Sequence, residues 1–383
     1  MAEAITRQGR ETSTSRPLWI WEPLLVFAAS RLAVLVVPFL TLGLVPTHDG
    51  KAPPANLLID AWIHWDAGWY LAIVQNGYWL DSDPMTSAQS PAFFPLYPLI
   101  TRLVGGLTGD YRVAGLLVAN LCLAVALVAL FDLARRKLGE DNARWTIILL
   151  AFSPFALFFG SVYTESLFLL LAVASFWFAE REDWWLAGLC AGLCSATRLV
   201  GLGLAPSLVL LYFAWRHWHW RSIDRSALGL LFAPLGTALY AAYLWVVLGD
   251  PLLFYKTSAY GWRRYNIFKE GLDQLSPAVI GPGNYDLERA IGLAMALLWL
   301  LTIIPMLRRL GLGYACFVAV GVLVPLSAGL ESLGRYVTVL FPAFMMLAAC
   351  GQGRPTTRAV LLAGSAMLLG LFATLFVNYY WVV

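Results

Sequence analysis

The chain has 383 residues, of which 60% are hydrophobic and 13% charged, with a mean hydropathy of +0.70 and a formal net charge of +3. Soluble domains carry roughly 45–50% apolar and about 25% charged residues, so no aqueous core absorbs this excess and the bilayer must be the solvent for most of the chain. The small net charge gives no reason to expect nucleic acid, and long continuous apolar runs exclude the alternating strands of a membrane barrel. Backbone satisfaction in lipid then leaves helices, and an all-α polytopic membrane protein is expected.

In chain order, residues 1–17 are polar and rich in Ser, Thr and Arg, and read as a cytoplasmic tail ahead of one integral-membrane domain over 18–383. The first apolar run is too long, and lacks the small-residue cleavage site, for a signal peptide. Spans are expected near 18–46, 111–133, 145–161, 163–179, 184–200, 202–215, 226–248, 287–306, 311–329, 336–350 and 358–378, about eleven crossings in all, with an interfacial or re-entrant piece near 92–107. Clustered bases fill alternate connections: Arg7, Arg10 and Arg16, then Arg135, Arg136, Lys137 and Arg144, then Arg216, Arg221 and Arg225, then Arg308 and Arg309, then Arg354 and Arg358. The positive-inside rule puts the N-terminus in the cytoplasm. Two long segments, 47–110 and 249–286, are left for the opposite face.

The first of these contains "HWDAGWYLAIVQNGYW", His64 to Trp79, an aspartate set among aromatics. Apolar and aromatic positions recur there at helical spacing, which suggests helices lying in the interface plane. Trp65, Trp69 and Tyr70 suit headgroup depth, and Gly68 leaves room for a ligand. "SPAFFPLYPLI" then brings three prolines within eight residues, enough to break a helix and redirect the chain.

The same topology puts "YTES" (163–166), "TRLVG" (197–201), "GWRR" (261–264) and "GRY" (334–336) at the outer end of the membrane with Asp66. Ionisable residues at such positions are costly and are functional candidates by default. A carboxylate can take the proton of an attacking hydroxyl, and guanidinium forks match phosphate oxygens. Sugar transfer from a lipid phosphate needs both, at the membrane surface. Each residue also has a structural alternative. Asp66 could cap a helix starting near Gly68, and Glu165 could cap the span starting near Thr164. Arg198 could pair with a carboxylate in the bundle, Arg335 with Glu331 four residues upstream, and Arg263 and Arg264 could be a solvated loop face.

Five cysteines, Cys122, Cys190, Cys194, Cys316 and Cys350, fall inside apolar runs and read as ordinary buried small residues. His217 and His219 sit among arginines in a short loop and read as a solvated basic face. No metal or other cofactor is assigned. Asp60, Asp81 and Asp83 lie near Asp66 in sequence, but no second acidic cluster supplies a coordination set.

The motif "HWDAGWYLAIVQNGY" followed by "AFFPLYPLI" resembles the first lumenal loop of PIG-V-type mannosyltransferases, the group that includes the second mannosyltransferase of GPI-anchor synthesis and its bacterial relatives. "PFALFFGSVYTESLF", "GLCSATRLVGL", "GDPLLFYKTSAYGWRR" and "GRYVTVLFPAF" resemble the same family in the same order, from about residue 20 to residue 350. The resemblance implies a GT-C glycosyltransferase fold and an inverting enzyme that uses a polyprenyl-phosphate sugar, with mannose the expected sugar. Asp66 would be the general base and Glu165 would shape or orient the site. Arg198, Arg263 and Arg335 would be candidates for donor-phosphate contact. His64, Trp65, Trp69, Tyr70, Tyr163, Arg264 and Tyr336, on the same motifs, complete the candidate substrate-binding set. Relatives often carry Ser-Asn after the arginine of the "TR" segment, where this chain has Leu199 and Val200, so specificity is open to difference.

The basic tail and compact loops suggest a bacterial plasma-membrane enzyme with its site on the extracytoplasmic face. Its expected partners are a polyprenyl-phosphate-mannose donor, a cell-envelope glycolipid acceptor and membrane lipids. The competing reading is a transporter or flippase for a lipid-linked sugar. It predicts inverted repeats and mid-membrane charges, and the sequence shows no internal repeat.

Overall fold

A computed structural model describes residues 18–84, 87–261 and 287–382. The polar tail, Arg263 and Arg264, and most of the 249–286 segment fall outside them. Among the described residues the chain is helical, with a single isolated bridge, Leu42 to Val45, and no strands.

The helices are α1 (Leu18–Leu35), α2 (Val37–Thr41), α3 (Asp66–Asn76), α4 (Leu96–Thr108), α5 (Tyr111–Leu138), α6 (Glu140–Ala151), α7 (Glu165–Ala179), α8 (Trp184–Ser195), α9 (Leu204–Trp215), α10 (Leu235–Leu248), α11 (Leu253–Lys256), α12 (Leu287–Arg309), α13 (Leu312–Ala328), α14 (Leu333–Thr338), α15 (Phe341–Cys350) and α16 (Pro355–Val377). Among the described residues, four helical stretches are long and apolar enough to cross a bilayer: Ile20–Thr41, Tyr111–Leu138, Leu287–Arg309 and Pro355–Val377. A fifth forms if the turn Arg225–Phe232 and α10, bent by 46°, count as one span. The remaining apolar helices are shorter, because proline, glycine and short 3-10 turns interrupt the runs that read as continuous in sequence. The run expected over 145–161 is one such case: α6 stops at Ala151, and a 3-10 turn covers Ala156–Gly160.

The central element is α5. Asp110 caps its start by accepting from the Arg112 backbone N–H at 2.8 Å. Arg135, Arg136 and Lys137 occupy its last turn, where cations suit the helix dipole. Near that end the buried Asp132 accepts from Arg135 and Arg136 at 2.8 Å, from Arg181 at 2.9 Å and from the Trp177 indole at 3.0 Å. This ties α5 to α7. On the other side of α7, α8 meets the bent 225–248 segment through glycines: a Cβ on Gly188 would lie 1.8 Å from the Gly229 carbonyl oxygen, and one on Gly236 would lie 2.0 Å from that of Gly192. Small residues let these backbones touch, the usual packing of helices in lipid.

Outward positions such as Leu25, Leu121 and Val246 are largely exposed, as a lipid-facing surface requires. The cysteines follow the same division. Cys194 is buried, Cys122, Cys190 and Cys316 are half-buried and Cys350 is exposed, which corrects the expectation that all five sit in the core. An apolar run in a membrane protein has a lipid face as well as a core face.

Candidate active site

The 47–110 segment is held by its own breaks. The Pro-rich stretch docks against α8 and α10: the Leu96 N–H donates to the Ala196 carbonyl at 3.0 Å, and the Tyr240 hydroxyl donates to the carbonyls of Pro91 (3.0 Å) and Phe93 (3.2 Å). The segment forms a 3-10 turn at Asp60–Trp62 and then α3, which ends before Gly77 with φ of 77°. The stretch 92–107, expected as an interfacial or re-entrant piece, falls mostly in α4.

Asp66 is the first residue of α3, and Trp65 occupies the cap position with no side-chain cap bond. The Asp66 carboxylate instead turns to α14, accepting from Arg335 Nη1 at 2.7 Å. Arg335 Nε lies 3.3 Å from Glu165 Oε1, an ion pair without the alignment of a hydrogen bond. The same Glu165 oxygen accepts from Arg198 Nη1 at 2.8 Å. All four residues are buried, and Glu165 is only 1% exposed. The charges alternate, carboxylate to guanidinium to carboxylate to guanidinium, so the group is formally neutral, as burial demands.

These contacts bear on the structural alternatives open in sequence. Arg335 pairs with Asp66 and Glu165, not with Glu331. Helix α14 starts at Leu333, so Glu331 lies before it and the four-residue spacing is not a helical one. Arg198 does pair with a bundle carboxylate. Glu165 is the first residue of α7, but Thr164 stands at the cap position without a side-chain cap bond, and among the described residues Glu165 Oε2 has no hydrogen-bond partner.

Aromatic rings surround the guanidiniums. Arg335 lies 5.1 Å from the centre of Tyr163 and 5.6 Å from that of Phe158, and Arg198 lies 4.3 Å from that of Tyr336. Tyr70 is buried against Tyr97 and Tyr163, with ring centres 5.4 and 6.4 Å away. Trp69 stacks on Phe93 and Trp79 at 5.6 and 6.1 Å, and Gly68 is exposed with open space beyond it. Gly334 lets α14 approach: a Cβ there would lie 2.1 Å from the Phe155 ring.

His64 faces another way. Its ring packs on Phe376 and Tyr379, with centres 5.3 and 4.2 Å away, and its carbonyl accepts from the Tyr163 hydroxyl at 2.9 Å. Burial pushes its pKa down to about 4, opposed in part by a backbone hydrogen bond at Ile63. The next residue, Trp65, has φ of 56° and ψ of −118°, a conformation glycine favours and that costs other residues about 1–3 kcal/mol.

The acids near Asp66 in sequence stand elsewhere. Asp60 pairs with Arg112 at 3.0 Å, and Asp81 accepts from the Trp79 indole at 2.7 Å. Among the described residues, no three His, Cys, Asp or Glu side chains come together as a metal site would need.

Arg31 was not singled out in sequence. It is buried on α1, donates to the Ala156 carbonyl at 3.1 Å and the Ala151 carbonyl at 3.5 Å, and fits because residue 160 is glycine. It holds the broken stretch that delivers Tyr163 and Glu165. A lone arginine inside an apolar span was the available signal. Asn120 assists, donating to the Gly160 carbonyl at 3.4 Å.

Chemically, the arrangement offers a carboxylate for proton transfer and two guanidiniums for an anion. Within the described residues each guanidinium forms its hydrogen bond to a carboxylate through Nη1, and Arg335 Nε also lies against Glu165; planar guanidinium forks of this kind match phosphate oxygens.

The family described as dolichyl-phosphate-mannose-protein mannosyltransferase matches residues 89–245, a range that includes Glu165 and Arg198. GPI alpha-1,6-mannosyltransferase 2 of Rattus norvegicus is 30% identical over 203 residues, 46% of this chain and 40% of that protein. The Homo sapiens protein is 28% identical over 216 residues, 48% of this chain and 42% of that protein. The matches therefore span less than half the length of these relatives. Among solved structures, ArnT from Cupriavidus metallidurans bound to undecaprenyl phosphate is similar with a TM-score of 0.54 at 18% identity, covering 90% of this chain and 63% of ArnT. An oligosaccharyltransferase from Archaeoglobus fulgidus, tethered with an acceptor peptide, gives a TM-score of 0.52 at 14% identity, covering 94% of this chain and 55% of that one. At such identities the likeness is one of fold. Over part of its length the chain is thus similar in sequence to GPI alpha-1,6-mannosyltransferase 2 proteins, and over most of its length it is similar in fold to ArnT and the oligosaccharyltransferase.

Proposed function

We propose that this protein is an inverting glycosyltransferase that moves a sugar, mannose by kinship, from a polyprenyl-phosphate donor to a hydroxyl of a cell-envelope glycolipid. The observation that carries the reading is the buried Asp66–Arg335–Glu165–Arg198 series. In the proposed step Asp66 takes the acceptor hydroxyl proton as that oxygen attacks the anomeric carbon. The bond from that carbon to the phosphate oxygen breaks on the opposite face, and its electron pair leaves with the polyprenyl phosphate. The leaving phosphate gains negative charge, and Arg335 and Arg198 are the groups that would stabilise it in a site of low dielectric. Glu165 holds both guanidiniums in place. No cofactor or metal is part of this step.

The alternating loop bases support a cytoplasmic N-terminus and a site at the extracytoplasmic face of a bacterial plasma membrane, with about eleven crossings. Segments 47–110 and 249–286 would then be the two large outer loops of one domain. Arg263 and Arg264, in the second, stay candidates for donor contact.

The test is transfer from polyprenyl-phosphate mannose, radiolabelled in the sugar, to a total lipid extract by purified wild type and Asp66→Asn. The expected result is a labelled glycolipid with wild type and a loss of at least about 100-fold in the variant, which keeps the side-chain size but not the base. Wild-type rates in Asp66→Asn would overturn the base assignment. No transfer from polyprenyl-phosphate mannose or glucose, together with movement of those lipids across vesicles, would establish the carrier reading instead.

A further inference from the structure

Trp65 precedes the proposed base and carries a backbone shape that suits glycine. The Ala67 N–H donates to the His64 carbonyl at 3.2 Å, so residues 64–67 form a tight turn whose first central residue is Trp65, at φ 56° and ψ −118°. That is the position at which a type II′ turn calls for glycine. Something must hold a tryptophan there.

The residues that follow α16 do so. The Trp381 ring meets Trp65 edge-on with centres 4.6 Å apart, and Lys51 Nζ sits 5.3 Å from the centre of Trp65 and 5.2 Å from that of Tyr379. The His48 N–H donates to the Asn378 carbonyl at 2.9 Å, fastening the start of the first outer segment to the same place. Tyr379 also packs on His64. The two residues before Asp66 are thus gripped by a segment more than 300 positions away in sequence.

We infer that residues 378–382 are a clamp that keeps Trp65 in its glycine-type turn and thereby positions Asp66 against Arg335. Trp381 is a positioning residue: it acts through Trp65 and touches neither Asp66 nor Arg335 in the contacts described. The inference uses the glycosyltransferase reading for its activity measurement alone.

The experiment compares Trp65→Gly with Trp65→Ala, and Trp381→Ala with Trp381→Phe, in the full-length detergent-purified protein. Thermal midpoint and, separately, kcat and KM for polyprenyl-phosphate mannose are measured. At an ordinary backbone position alanine is at least as well tolerated as glycine. Here Trp65→Gly is expected to have the higher midpoint, and a kcat on the order of tenfold above that of Trp65→Ala. Trp381→Ala is expected to lower kcat with donor KM unchanged, and Trp381→Phe, which keeps an aromatic edge contact, to restore most of it. Alanine equal to or better than glycine at position 65 overturns the turn argument. Wild-type kcat in Trp381→Ala, or an equal loss in Trp381→Phe, overturns the clamp. If wild type transfers no sugar, the functional reading fails, while the midpoints at position 65 still decide the turn and the clamp stands only if Trp381→Ala lowers the midpoint and Trp381→Phe restores most of it.

Discussion

Arg335 and Asp66, 269 positions apart in sequence, meet at 2.7 Å with both side chains buried. This pair joins α14 to the start of α3, and the second contact of Arg335 extends the series to Glu165 and Arg198. Removing one member leaves a charge of the opposite sign with no exit to water, so its effects cannot be purely local.

Arg335→Gln strands the Asp66 carboxylate and leaves Glu165 paired with Arg198 alone. The expected loss is about 3–5 kcal/mol of stability, with transfer abolished. Adding Asp66→Asn to Arg335→Gln removes the stranded charge and should return about 1–3 kcal/mol without returning activity. Thermal unfolding of the two single variants and the double variant checks this. Strictly additive losses would mean the 2.7 Å pair has no energetic coupling.

Arg198→Lys keeps the charge and loses the planar fork. An ammonium can still pair with Glu165, so the fold should hold, with a midpoint within a few degrees of wild type. Bidentate phosphate contact is lost, and KM for the lipid-phosphate donor should rise by about tenfold or more, with a smaller change in kcat. An unchanged donor KM would remove Arg198 from the list of phosphate contacts.

The Arg31 guanidinium serves backbone carbonyls in the break between α6 and α7. Arg31→Met leaves the Ala156 carbonyl without that donor in a buried setting, at a cost of about 1–3 kcal/mol. Arg31→Lys should fall between wild type and Arg31→Met, since one ammonium reaches fewer carbonyls. A midpoint for Arg31→Met at or above wild type would show that the break is satisfied in another way.

His64 gives stability a definite pH dependence. Its pKa is about 4 in the folded protein against an ordinary 6.5, so above pH 6.5 it is neutral in both states and contributes nothing. As pH falls from 6.5 toward 4, the unfolded chain takes up a proton that the folded chain does not. Stability therefore drops across that window, by about 3 kcal/mol at most, and levels off below it. His64→Gln should flatten the slope of midpoint against pH between those limits. The same slope in both proteins would locate the titrating group elsewhere.

Much of this architecture was legible in the sequence because its causes are local. Composition alone decides that the chain lives in lipid and is helical. The Pro-rich stretch marks where the chain turns, since the missing proline N–H acts within a few residues. The motif around Asp66, and the gathering of Glu165, Arg198 and Arg335, could be anticipated because costly charges in an apolar chain are few. The partners of those charges could not. Glu331 is near Arg335 in sequence but outside its helix, while Asp66 reaches Arg335 only because the tertiary fold brings the start of α3 to α14, which the missing Cβ of Gly334 lets sit against Phe155. The work of Arg31 and the turn at Trp65 likewise depend on where distant backbone carbonyls and the 378–382 segment come to rest. Periodicity and capping are properties of a short stretch of chain, whereas the pairing of a buried charge is a property of the packing that removes it from water.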